Sequence, residues 1–313
     1  MDKKVSVIIP TFKRSNFLLR AIDSVLNQTY PNIEIVVVDD NAPDSVFRLE
    51  TQKKMYKYEN NKKVLYIKNT NNLGGALARN QGIKKAKGDY ITFLDDDDIY
   101  LPEKISTQIE FMINNKLDMS FTNVRIHNSD DKLVDFREHK YVKSNLNDEL
   151  LKQHLLHHLT PTSTYMYKKE SLLDIGGFDD AKIGQEFKLM IKSIESGLKI
   201  GYIPHANIIQ YLHDGERISV GRNKIEGEKE LYNFKKRYFN LLSLSQRNYV
   251  RFRHHAVMMV VGKRSKKYSV LIKHLILALF ASPKDFLLEP INHIFKLKRY
   301  KNHTIEKKTS LQQ

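Results

Sequence analysis

The 313-residue chain contains no cysteine. That excludes disulfides, thiolate metal sites and cysteine nucleophiles, and agrees with a reducing cytosol. A membrane-length apolar run is also missing. The longest nearly uncharged stretch, "HLILALFA" (274–281), falls well short of the ~20 residues that span a bilayer. The apolar run behind "MDKK" is too short for a signal segment and no small-residue cleavage site follows, so it reads as a first strand. There is no internal repeat or low-complexity stretch, no G-x-G-x-x-G, and no Gly-Lys-Ser/Thr of a P-loop. An apolar fraction of 41% against 28% charged residues is that of an ordinary globular protein and excludes wholesale disorder.

What is present is an uneven charge. Residues 231–313 hold 18 Lys or Arg against three acids, Asp285, Glu289 and Glu306, a net of +15. Of the total of +16, only +1 is left for residues 1–230. A balanced globular domain thus carries a basic tail.

In the first part strands and helices alternate. "KVSVIIP" (4–10) is a strand ended by Pro10, and "SNFLLRAIDSVLNQ" (15–28) is an amphipathic helix with Ser15 or Asn16 as N-cap. "IEIVVVDD" (33–40), "VLYIKN" (64–69) and "DYITFLDDDD" (89–98) are further strands, and "GGALARNQGIKKA" (74–86) is a helix stopped by Gly88. Pro102 opens the next helix. Past residue 119, "MSFTNVRIHN" and "TSTYMYKK" read as strands and "GQEFKLMIKSIESG" (184–197) as a helix. Residues 129–160, with His154, His157 and His158, suit a lid or acceptor-side insertion. Continuous apolar strands in β-α-β-α order predict a doubly wound, mostly parallel sheet covered on both faces. Ligands bind such sheets beyond the carboxyl ends of the strands, where Asp39/Asp40 and Asp95–Asp98 fall.

Four adjacent aspartates repel one another and need a cation, hydrogen-bond donors or open solvent. A solvated charge run is one reading. Oxygen-only ligation of Mg²⁺ or Mn²⁺ bridging to phosphates is the other, and an EF-hand is excluded by the missing loop spacing and central Gly. Asp39, Asp40 and Asp44 could accept from a ribose or base, or Asn41 and Asp44 could cap a helix. Arg79, one turn into the helix after "NNLGG", could pair with a diphosphate or lie on the surface.

In this order, "SVIIPTFKR", "AIDSVLNQTYPNIEIVVVDDNAPD", "NLGGALARNQGIKKAKGDYITFLDDDD" and "GGFDDAKIGQEFKLMIKS" resemble the family 2 glycosyltransferases, over roughly residues 3–220. The resemblance implies the GT-A form of the α/β sheet and an inverting transfer from a nucleoside diphosphate sugar, UDP being the commonest. It implies that Pro10, Thr11 and Asp40 line the nucleoside pocket with Asp39 behind it, and that Arg79 lies near the diphosphate. Asp96 would approach the ribose or sugar, and Asp97, with Asp95, would hold Mn²⁺ or Mg²⁺. An empty site should then be an acidic, poorly ordered loop. The family's base, often the Asp of a Glu-Asp pair after "GGFD", is here Glu186 of Gln185-Glu186, with Asp179 and Asp180 in reserve. His213 could ligate the metal and Arg217 neutralise phosphates.

The expected division is a catalytic domain over 1–222, with a nucleotide-sugar half to about residue 100 and an acceptor half beyond. A basic, mostly helical region over 223–313 follows. Its apolar segments with basic flanks suit an interfacial position on anionic lipid, helices packed on the catalytic domain, or a homodimer; no nucleic-acid motif accompanies them. The whole reads as a cytoplasmic enzyme at the inner membrane face, adding sugar to a glycan or lipid-linked acceptor of a bacterial surface polysaccharide. The rivals are a nucleotidyltransferase, whose Gly-rich N-terminal loop is missing, and a non-catalytic binding protein on the same scaffold.

Overall fold

The computed structural model describes residues 3–181, 183–212 and 222–292. In chain order the elements are β1 (Val5–Thr11), α1 (Ser15–Leu26), β2 (Ile33–Asp39), α2 (Val46–Met55), β3 (Val64–Lys68), α3 (Gly75–Lys85), β4 (Tyr90–Phe93), β5 (Ile99–Tyr100) and α4 (Lys104–Asn114). Then come β6 (Met119–Thr122), β7 (Val124–Asn128), β8 (Leu133–Arg137), α5 (Asn147–His157), β9 (Met166–Lys168), α6 (Lys169–Asp174), α7 (Gln185–Glu195), β10 (Ile200–Ile203) and β11 (Ile208–Leu212). The last helices are α8 (Arg222–Lys236), α9 (Leu244–Arg264) and α10 (Tyr268–Ala281).

The main sheet has seven strands in the order β10-β6-β9-β4-β1-β2-β3. All pairs are parallel except those of β9, which runs antiparallel to β4 and β6. The doubly wound, mostly parallel α/β sheet read from the sequence is therefore present. Its central strands carry no alternation because both faces are covered: Val5 to Ile9 of β1 and all of β2 are buried. Leu18, Ala21, Ile22 and Val25 of α1 and Ile105, Ile109 and Met112 of α4 fill one side of the core. On the other side, Gly82 of α3 lies so close to β1 that a Cβ would come within 2.5 Å of Ile8 Cγ2.

The structure corrects several details. "MSFTNVRIHN" is two strands, β6 in the main sheet and β7 in a second sheet beside β11, because the chain changes sheets at Asn123. The helix after "IYLP" starts at Lys104, not Pro102. Only Tyr90–Phe93 of "DYITFLDDDD" is strand, which leaves the four aspartates in the turn between β4 and β5. His154 is fully buried, and burial pulls the His157 imidazole down to about 4.

The chain forms two compact units, one of Met1–Lys132, Arg137–Leu151 and Leu159–Leu212, the other of Leu133–Phe136, Lys152–His158 and His213–Gln313. In the second, α9 and α10 pack closely: a Cβ on Gly262 would lie 2.8 Å from the Leu271 amide nitrogen. Ile225, Met258 and Val261 form its small core. No helix among the described residues is long and apolar enough to cross a membrane.

Lys104 is an unusual core residue. Its amine lies among Thr92 Oγ1, Tyr100 OH and the Tyr100 ring, and burial drives its pKa well below that of an ordinary lysine. The folded amine thus binds fewer protons than the unfolded one, so this term disfavours folding at neutral pH and fades as pH rises towards 10.5. Thr92 still donates to Tyr165 O and Tyr100 to Phe93 O without it. Lys104→Met is expected to raise Tm at pH 7, by about 2–4 °C per kcal/mol gained, with the gain shrinking by pH 10. Thermal denaturation at both pH values checks this.

Candidate active site

In the order β3-β2-β1-β4 the winding reverses between β1 and β4, and a crevice opens there at the carboxyl ends of the strands. Thr11 ends β1 and Asp95–Asp98 follow β4, so one strand spacing brings them together. Thr11 Oγ1 donates to Asp96 Oδ2 at 2.7 Å. Pro10, half-buried, lies at the same strand end.

Asp40 lies just beyond the end of β2. Its Oδ1 accepts from Asn69 Nδ2 (2.8 Å) and the Leu73 amide (2.9 Å), and its Oδ2 from the Gly74 amide (2.8 Å). It therefore fastens the turn that leads into α3, where Gly74 takes a φ of +83° that disfavours any side chain. Asp39 has no surface for a nucleotide. It is fully buried, paired with Arg48 Nε at 3.0 Å and bonded by Asn41 and Tyr66. Arg48 also donates to the carbonyls of Asp39 (3.2 Å) and Asn69 (2.8 Å), so this pair braces the strand ends from behind.

Held by that turn, Arg79 pairs with Asp95 and donates to Gln185 Oε1 at 3.3 Å. Gln185 is the residue before Glu186 at the start of α7. One arginine thus ties the base candidate's helix to the acidic turn, across 106 residues of sequence. Gly184 at the N-cap of α7 has a φ of +71°, and in the "GGFD" stretch before it Asn80 of α3 bonds both the Phe178 amide (2.9 Å) and carbonyl (2.7 Å). Glu186 is half-buried and lies close enough to Tyr165 to help raise its phenol pKa, after burial and Tyr167. Asp179 pairs with Lys192 at 2.6 Å and Asp180 is exposed. His213 and Arg217 lie outside the described residues.

The acidic turn is not left without counter-charges, and the residue that supplies them was missed in the sequence. Arg14, the N-cap position of α1, does not cap the helix; its guanidinium pairs with Asp96 Oδ1 at 2.8 Å and with Asp97. Arg20, one and a half turns on, donates to the Asp97 carbonyl at 2.7 Å and stacks on Tyr211. Asp98 Oδ1 accepts from the Tyr211 amide at 3.0 Å. Burial pushes Asp96 up to about 7 against the pull of Arg14, and burial with Asp97 and Asp95 drives Asp98 well above the carboxylate range.

The donor set fits a hard divalent cation. It is all oxygen, Asp95 and Asp97 are its more accessible members at 29% and 13% exposure, and buried Asp98 Oδ2 has no hydrogen-bond partner among the described residues. Arg79 Nε, equally buried and unpartnered, is a donor left for an anion. A second cluster, His254, His255 and His274, has its ring nitrogens within 4.8 Å of one another. Lysines 229, 235, 236 and 273 act on these rings and no carboxylate belongs to the group, so its surroundings oppose a dication.

A family model described as "Glycosyl transferase family 2" matches residues 6–175. An uncharacterized glycosyltransferase of Rickettsia typhi is 33% identical over 239 residues, 73% of this chain and 70% of that protein. The Escherichia coli UDP-Glc:alpha-D-GlcNAc-diphosphoundecaprenol beta-1,3-glucosyltransferase WfaP is 38% identical over 39% of this chain and 46% of its own. The chain spans only about a fifth of the length of the first curated relatives it matches, 21%, 21% and 17%. Among solved structures, S. aureus TarS with UDP-GlcNAc has a TM-score of 0.58 at 18% identity, covering 89% of both chains. The mannosyltransferase PcManGT of Pyrobaculum calidifontis, in complex with GDP-Man and Mn²⁺, has a TM-score of 0.57 at 14% identity, covering 91% of this chain and 88% of its own. These two likenesses concern the fold, which is GT-A.

Proposed function

Since this chain belongs to glycosyl transferase family 2, we propose that it moves a sugar from a nucleoside diphosphate sugar, UDP first among them, to a hydroxyl of a glycan or lipid-linked acceptor, inverting the anomeric carbon. The acceptor oxygen bonds to that carbon as the carbon–diphosphate oxygen bond breaks. The acceptor proton passes to Glu186 as general base. The observation that carries this reading is the chain Asp95–Arg79–Gln185, which holds the start of α7 beside the acidic strand end. A nucleotidyltransferase is set aside by the family; a catalytically silent binder remains as an outcome of the tests.

Asp97, with Asp95, would hold Mn²⁺ or Mg²⁺, which supplies charge stabilisation for the departing diphosphate. Arg79 neutralises the diphosphate from the α3 side, and Pro10, Thr11 and Asp96 shape the nucleoside and sugar side. Asp40 acts by building the turn under Arg79. We assign catalysis to residues 1–222 and attachment at the inner membrane face to 223–313, in the synthesis of a surface polysaccharide; WfaP, whose name specifies a diphosphoundecaprenol acceptor, supports a lipid-linked one.

The test is a thermal-shift panel of nucleotide sugars with and without Mn²⁺, followed by NMR of the product's anomeric configuration. A UDP-sugar should raise Tm, the more so with metal, and the product should have the opposite configuration to the donor. No stabilisation by any activated sugar, with or without metal, refutes the proposal.

A further inference from the structure

Helix α10 has one face packed on α9 and one without a partner among the described residues. His274 and Ala278 are buried towards α9, whereas Tyr268, Ile272, Leu275, Ile276, Leu279 and Phe280 are exposed. Their spacing of three and four residues sets them on a single stripe, with Phe280 79%, Ile272 56% and Ile276 49% exposed. A further helical stretch, 283–292, adds exposed Leu287, Leu288 and Ile291. Isolated apolar residues on a surface need no explanation, but a contiguous stripe does.

The charge around the stripe identifies its occupant. Lys263 and Arg264 in the last turn of α9 and Lys266 and Lys267 in the link to α10 are all exposed, and Lys273 and Lys284 are exposed beside the stripe. We propose that this face is a membrane-docking surface, on which α10 lies in the plane of an anionic bilayer with its apolar stripe among the acyl chains and the flanking cations at the headgroups. This gives residues to the attachment in the function proposed above and rests on that reading only for its purpose.

Two other occupants fit less well. A second copy would bring another region of net charge +15 against the first, which repels at the short range of a helix contact. The chain's own 293–313 holds six Lys or Arg against one acid, so laying it along the stripe would crowd its cations against those already flanking the stripe.

The experiment is co-sedimentation of the full chain with vesicles of phosphatidylcholine alone or mixed with phosphatidylglycerol. Binding should require phosphatidylglycerol and weaken with salt. Two variants divide the contributions: Ile272→Ser with Ile276→Ser and Phe280→Ser, and Lys263→Gln with Arg264→Gln, Lys266→Gln and Lys267→Gln. Each should cut the bound fraction at least tenfold with an unchanged circular dichroism spectrum and unchanged UDP-sugar binding. Vesicle binding that neither variant alters overturns the proposal. So does a lipid-free dimer in light scattering that the apolar variant splits, which gives the face to a second copy. Vesicle binding in a protein that ignores every nucleotide sugar would remove the transferase reading and leave this one standing.

Discussion

Glu186→Gln is expected to lower kcat by about 10²–10⁴-fold, the usual range for loss of a general base, while UDP-sugar binding changes little. The amide keeps the size and polarity of the side chain and removes only its ability to take the acceptor proton. Glu186→Asp is the informative second variant. It draws the carboxylate back by about 1.5 Å, one C–C bond, towards the shorter side chain that the family resemblance implies. A partial loss would mean that α7 is set for the longer side chain here. Asp179 is occupied by Lys192 on the surface, so Asp179→Asn should leave kcat nearly unchanged. If Asp179→Asn or Asp180→Asn silenced transfer and Glu186→Gln did not, the base would have to be sought in the "GGFDD" turn.

The sheet and the acidic strand end were legible because both are written in contiguous residues. "VSVIIP" and "IEIVVVD" are buried on both faces and so are apolar without alternation. "DDDD" at a strand end falls at the ligand edge in any parallel sheet. The counter-charges were not legible, since each arrives across a long separation. Arg14 reaches Asp97 over 83 residues and Arg79 reaches Gln185 over 106, and "TFKR" alone does not say which way a flexible side chain turns. One signal was available: four adjacent acids demand nearby cations, and the loop after β1 borders the switch point with Lys13 and Arg14 in it. The split of "MSFTNVRIHN" between two sheets did leave a signal: the period-2 pattern slips by one residue at Asn123, from apolar Met119 and Phe121 to apolar Val124 and Ile126, where the partners change. Asp39 and Asp40 are adjacent in "VVVDD", yet one pairs with Arg48 and the other fastens the Gly74 turn. Successive residues of an extended chain point to opposite faces, and only the loops around them decide what each meets.

The other large effects are expected at Asp97 and Arg14, in opposite directions. Asp97→Ala should weaken Mn²⁺ binding by about 100-fold or more, since loss even of an outer-shell partner costs 10–100-fold. Mn²⁺ should then no longer improve UDP-sugar binding. Arg14→Ala should tighten Mn²⁺ binding in the absence of nucleotide, by roughly tenfold. Its guanidinium occupies Asp96 and Asp97 and must release Asp97 for a divalent cation to be held there. Electron paramagnetic resonance of free Mn²⁺ measures both without reference to turnover. Arg14→Ala also leaves Asp96 buried without its counter-charge, which destabilises the fold. The two effects combine into one signature. Without metal the variant should melt below the wild type, and Mn²⁺ should recover more Tm in it than in the wild type, because ligand stabilisation grows with affinity. A purely architectural Arg14 would give the lower Tm without the larger recovery. An Arg14 that only meets the diphosphate would weaken UDP-sugar binding and leave Mn²⁺ affinity where it was. The sign of the Mn²⁺ change therefore decides whether the arginine on the acidic turn is a stand-in for the metal or part of the wall around it.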